Sequence, residues 1–100
     1  MAVYTLGIWR VKPGHEEDFV AAWKQLADGT RADLPQATAT LLRDREDPSL
    51  FVSSGPWESV EQVNEWRSSP VFTGSLAVIR EHIEDFEPHT MDLEVNITNL

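Results

Sequence analysis

The chain has 100 residues and 11.3 kDa, a length that supports one hydrophobic core and is too short for two. It is 41% hydrophobic and 25% charged, a globular composition, and carries 17 acidic against 8 basic residues for a net charge of −9. Such a surface repels nucleic-acid phosphates and anionic lipid, and the absence of cysteine excludes disulfides, thiolate metal cages, iron–sulfur clusters and a cysteine nucleophile.

The first seven residues have neither the basic start nor the apolar run of a signal peptide, and no stretch approaches a membrane span. A cytoplasmic protein is expected, with residues 1–100 as one domain. Val3 to Val11 reads as a strand, stopped by Pro13-Gly14. From His15 to Ala27, Phe19, Ala22, Trp23 and Leu26 recur at helical spacing, with Glu16, Glu17 and Asp18 at the positive end of the dipole. Asp28-Gly29 is expected to end this helix. Thr38 to Arg45 and Leu50 to Trp57 read as two strands joined through an Asp47-Pro48 turn.

Ser59 with Gln62 makes a capping box that opens a short helix ending at Arg67. Ser69-Pro70 starts another, with Phe72, Leu76, Ile79 and Ile83 on one face. The last segment, Ile83 to Ile97, alternates apolar Met91, Leu93, Val95 and Ile97 with polar residues, and Pro88 within it marks a bulge or an edge. The order is βαββαβ with a divided second helix. It predicts an α+β, ferredoxin-like fold with a four-stranded antiparallel sheet and the helices on one face.

The first strand is apolar on both sides: Val3, Thr5, Gly7, Trp9 and Val11 on one, Tyr4, Leu6, Ile8 and Arg10 on the other. Leu50 and Val52 oppose Phe51 and Trp57 in the same manner. Helices cover only one side, so the second apolar face predicts a homodimer packed sheet to sheet.

Several motifs now combine. Val11-Lys12-Pro13-Gly14 precedes a helix with Phe19 and Trp23; then come Leu41-Leu42-Arg43-Asp44, Asp47-Pro48, Trp57-Glu58-Ser59, and Trp66-Arg67-Ser68-Ser69-Pro70-Val71-Phe72. In this order they resemble the antibiotic biosynthesis monooxygenase family. The resemblance implies a dimeric α+β barrel, a ligand pocket between sheet and helices, and, for quinone-forming members, a reaction without metal, flavin or haem. It implies that Trp57 lines the pocket. Ser53 stands where those relatives polarise substrate with Asn, and Val63 stands where they have Tyr. Trp66 matches a helical Trp of haem-degrading members. Gly7 and Leu76 stand where those members have an Asn and an axial His, so haem degradation is not expected.

The four tryptophans suggest an aromatic slot. Ser53, Trp57 and Trp66 are the candidate catalytic residues: Ser53 donates to a developing oxyanion while Trp57 and Trp66, with Phe72, clamp a ring. Thr5, Gly7, Trp9, Phe72 and Leu76 are the candidate substrate-binding residues. Gly7 suits either room for a ligand or close packing. His15, His82 and His89 are scattered, with no i, i+4 pair, so no zinc site is expected. Glu81, Glu84, Asp85 and Glu87 read as a solvated acidic face. No Gly-x-Ser-x-Gly elbow or phosphate loop occurs. Two functions follow: a cofactor-independent monooxygenase of a small aromatic or quinol-like metabolite, or a non-catalytic small-molecule-binding or regulatory dimer.

Overall fold

A computed structural model describes residues 2–98. The elements run β1 (Val3–Val11), α1 (Glu16–Asp33), β2 (Thr40–Arg43), β3 (Leu50–Trp57), α2 (Val60–Ser68), α3 (Pro70–Ile79) and β4 (Ile83–Asp92), with a 3-10 turn at Arg80–His82 before β4. The four antiparallel strands lie in the order β2-β3-β1-β4, so β1 sits beside both β3 and β4 as the ferredoxin-like topology requires. Among the described residues no helix is long and apolar enough to cross a membrane.

Alternation along β1 sorts the two faces. Val3, Gly7, Trp9 and Val11 are buried toward the helices, where Phe19, Leu26, Phe51, Phe72 and Ile79 complete the core. Trp9 stacks on Phe86 with centroids 3.9 Å apart, and Phe19 packs at a tilt against both Trp9 and Phe51. The opposite face carries Tyr4, Leu6 and Ile8, half-buried, beside Val52 and the exposed Leu42 and Met91.

Three elements, α1, β4 and β2, differ in extent from those expected. α1 does not stop at Asp28-Gly29 but continues to Asp33. Buried Thr30 carries it through, its hydroxyl donating to the Leu26 carbonyl at 2.8 Å, and the residue before Pro35, disfavoured in helix, is where it stops. Ile83, grouped with the α3 face and also read as the start of the last strand, opens β4 and is buried. β4 ends at Asp92 rather than Ile97, because Asp92 pairs with Val3, the first residue of β1. One further bond, Leu93 N–H to the Ala2 carbonyl, closes the ladder; Val95 and Ile97 then stand 73% and 63% exposed. β2 is likewise trimmed from Thr38–Arg45 to Thr40–Arg43. Pro88 lies on the outer strand, where its missing N–H costs no ladder bond, and the register shift falls at Arg10/Val11 instead.

The helix caps follow the sequence. Ser59 Oγ accepts from the Gln62 N–H, while Gln62 Oε1 accepts from the Glu58 N–H. Ser69 closes α2 through its N–H to Trp66 O and opens α3 by accepting from Phe72 N–H. This junction fixes Trp66 and Phe72 side by side.

Candidate functional site

A cavity of about 470 Å³ lies between the core face of the sheet and the helices, within the size range of small-molecule sites. β1 and β3 supply its floor. Thr5 pairs with Gly55 and Gly7 with Ser53, so the Thr5 and Ser53 side chains point the same way as diagonal neighbours, about 7–8 Å apart at the backbone. The segment from Pro35 to Ala39 crosses at one edge, with Thr38 O so close over Gly55 that a Cβ there would collide with it. Only glycine permits that crossing.

Seven of the eight site residues expected from the sequence line this cavity: Thr5, Gly7, Trp9, Ser53, Trp57, Trp66 and Phe72. Leu76 does not. It packs half-buried against the core on α3, one turn removed from Phe72, and its side chain contributes to helix packing.

The aromatic residues form a wall rather than a clamp. Trp57 and Trp66 meet with centroids 4.8 Å apart at 38°, and Trp66 meets Phe72 at 4.7 Å and 60°. A ligand ring needs about 7 Å between two flanking planes, so nothing inserts between rings already in contact. In place of the expected slot the three rings form one contiguous aromatic surface along the cavity.

Four tryptophans line the cavity, Trp23 with Trp9, Trp57 and Trp66, and the last three each spend the indole N–H on a hydroxyl. Trp9 donates to Ser53 Oγ at 2.9 Å, Trp57 to Thr5 Oγ1 at 3.0 Å, and Trp66 to Thr30 Oγ1 at 2.9 Å. Thr30 donates its own O–H to Leu26 O, which makes it structural. Among the described residues, Ser53 and Thr5 have no such acceptor. Each accepts from an indole and retains an O–H to donate, strengthened by polarisation along the bonded chain. Sequence reasoning singled out the residues but not this pairing, which depends on cross-strand register.

The same bonds explain Gly7. A Cβ there would stand 2.7 Å from Ser53 Oγ and 2.9 Å from Trp9 Nε1. The strand glycine is required by close packing: Trp9 leans back over it to reach Ser53.

Charge enters at the rim. Arg67 on α2 donates to Thr90 Oγ1 at 2.8 Å and to the His89 carbonyl at 3.0 Å, bracing the helix against β4 beside the cavity. Partial burial lowers its pKa from the ordinary value, yet a guanidinium stays protonated at neutral pH. Arg31 also lines the cavity, as does Asp28, which is exposed and paired with Lys24 at 3.0 Å. The Trp66-Arg67 block held the sequence signal for this arginine.

Away from the cavity, two histidines expected to be scattered are neighbours. His15 Nδ1 and His82 Nδ1 are 3.1 Å apart, and Asp18 completes a cluster whose ligand atoms lie within 4.8 Å of one another. Only the tertiary fold brings together residues 67 positions apart.

The profile of the antibiotic biosynthesis monooxygenase family matches residues 3–78. No curated protein matches the chain. Among solved structures, SnoaB of Streptomyces nogalater, a cofactor-independent oxygenase, is similar at a TM-score of 0.85, with 18% identity and 98% of each chain covered. A conserved protein from Methanosarcina mazei Go1 is similar at 0.82, with 16% identity and 94% of each chain covered. A structure of an antibiotic biosynthesis monooxygenase is similar at 0.79, with 21% identity over 93% of this chain and 99% of that one. At such identities the structural likeness speaks for the fold, and the profile match over most of the chain speaks for descent: the protein belongs to the antibiotic biosynthesis monooxygenase family.

Proposed function

We propose that this protein is a cofactor-independent monooxygenase that oxidises a small, electron-rich aromatic or quinol-like metabolite in the cavity between sheet and helices. The observation that carries the reading is the pair of indole-polarised hydroxyls, Ser53 and Thr5, facing an aromatic wall with a half-buried cation at its rim. Such chemistry starts from a substrate acidic enough to lose a proton. Its anion then reduces O₂ directly, a carbon–oxygen bond forms, and the hydroperoxide loses water, so that a CH₂ and one O₂ become a carbonyl and one H₂O. Ser53 and Thr5 donate to the oxygen on which negative charge gathers, and Arg67 favours the anion over the neutral acid. Trp57, Trp66 and Phe72 supply the apolar surface that holds the ring and displaces water.

Function in this reading belongs to a homodimer. Tyr4, Leu6 and Ile8 with Val52, Leu42 and Met91 offer a continuous apolar surface on the side of the sheet that no helix covers, and a second copy packed sheet to sheet buries it.

A non-catalytic binding dimer is the second reading, and one observation favours it. The titratable groups lining the cavity are Asp28, Arg31 and Arg67; the one carboxylate, Asp28, is exposed and paired with Lys24, so neither an imidazole nor an unpaired carboxylate stands there as a general base. An oxygen electrode separates the two on a panel of anthrones, quinols and catechols, run beside tryptophan-fluorescence titrations. The oxygenase reading requires uptake of O₂ that depends on the protein and falls in Ser53→Ala and Thr5→Val. Saturable quenching without uptake would instead establish the binding module.

A further inference from the structure

We propose that His15, Asp18 and His82 form a site for one divalent first-row transition-metal ion, which clips the first turn of α1 to the turn entering β4. The two imidazole Nδ1 atoms are 3.1 Å apart. Two nitrogens bound to one ion at bonds of about 2.0–2.1 Å are separated by about 3.0–3.4 Å, so the spacing already matches adjacent ligands. Asp18 follows His15 by three residues, one helical turn, which places its carboxylate on the same side of α1. All three ligand atoms fall within 4.8 Å of one another.

Backbone bonds hold the histidines ready. The Lys12 N–H donates to the His82 carbonyl at 2.9 Å, and the Lys12 carbonyl accepts from the His15 N–H at 2.9 Å. One residue thus ties both ligands, and the Lys12 ammonium is turned away onto the Glu81 carbonyl at 3.1 Å. Glu16 and Glu17 in the same first turn add negative potential that favours a cation. Both histidines are half-buried and Asp18 is exposed, leaving the remaining coordination positions to water.

Two imidazoles and one carboxylate are a borderline donor set that suits Zn²⁺, Co²⁺ or Ni²⁺; Ca²⁺ and Mg²⁺ demand oxygen ligands. The site is separate from the cavity, which none of its three residues lines, and it does not rest on the oxygenase reading.

The test is calorimetric titration of the EDTA-treated full chain with ZnCl₂, with long-range ¹H–¹⁵N spectra of the histidine rings recorded in parallel. The expected result is one ion per chain, shifts at the His15 and His82 rings, and no shift at His89, which lies beside Glu87. His15→Ala and His82→Ala should each weaken binding at least about tenfold. MgCl₂ should not compete, and Tm should rise with added ZnCl₂. Absence of stoichiometric binding, displacement by MgCl₂, a shift confined to His89, or unchanged affinity in His15→Ala/His82→Ala would overturn the proposal. Because the spectra read the unaltered protein, they decide the matter even if a variant fails to fold.

Discussion

Gly7→Ala probes the site and the fold together. The new methyl would lie 2.7 Å from Ser53 Oγ, 2.9 Å from Trp9 Nε1 and 3.2 Å from Phe86 Cε1, all closer than normal contact. Trp9 is only 2% exposed and stacked on Phe86, so the indole has little freedom to retreat. Ser53 can rotate, but then the buried indole N–H loses its acceptor, at a cost of about 1–3 kcal/mol. If the bond is kept, compression costs a similar 1–3 kcal/mol. Loss of glycine's freedom in the unfolded chain returns about 0.4–1 kcal/mol. The net expectation is destabilisation by about 1.3 kcal/mol, or about 5–10 °C in Tm for a domain of this size. Urea and thermal unfolding at one fixed protein concentration measure it, since association would otherwise shift the result. The Trp9 indole N–H resonance should move, and Gly7→Ala with Ser53→Ala should cost less than the sum of the two, because both disturb one bond. Wild-type stability with an unmoved indole resonance, or costs that add within about 0.5 kcal/mol, would refute this explanation of the Trp9–Ser53 pair.

The proposed sheet-to-sheet dimer predicts that Leu6→Lys with Ile8→Lys gives monomer or aggregate in sedimentation velocity; a well-folded wild-type monomer would remove the interface. Trp66→Ala should lose less stability than the about 3–5 kcal/mol of a fully buried Trp, since Trp66 is half-buried, while ligand quenching falls sharply. A full core-sized loss with ligand affinity intact would take Trp66 out of the site. The Arg10 guanidinium, followed by the Ser49 hydroxyl and N–H, holds the Asp47 carboxyl below its ordinary pKa. Its contribution is therefore complete above the unfolded value of about 3.9 and is lost as pH falls through the lowered folded value. Urea midpoints of wild type and Asp47→Asn should differ at pH 6 and converge in strong acid; a difference that persists there would contradict the assignment.

The sequence carried those parts of the fold that local chemistry decides. β1 and β3 keep their expected bounds because turn residues frame them and β-branched and aromatic residues fill them. The Ser59 and Ser69 caps were readable for the same reason. What was not readable depends on distant partners. Gly29 resembles a helix end until Thr30 is found buried and bonded to Leu26. The alternation through Ile97 resembles a strand until β1 is found to begin at Val3, leaving those residues no ladder. At the site, residue types pointed to an aromatic pocket, but whether Trp57 and Trp66 were jaws or one wall rested on a centroid distance no spacing encodes. The free protons of Ser53 and Thr5 likewise emerge only once register sets each under an indole.

The cavity is proposed to turn O₂ onto a bound aromatic anion using hydroxyl donors. Oxygen uptake by the EDTA-treated wild type with an anthrone substrate tests it most directly, beside the Ser53→Ala/Thr5→Val variant shown by fluorescence to be folded. One O₂ should be consumed per quinone formed, at a rate well above buffer, and the variant should lose most of that rate. Uptake no faster than buffer across the substrate panel, or an equal rate in the variant, would contradict the claim.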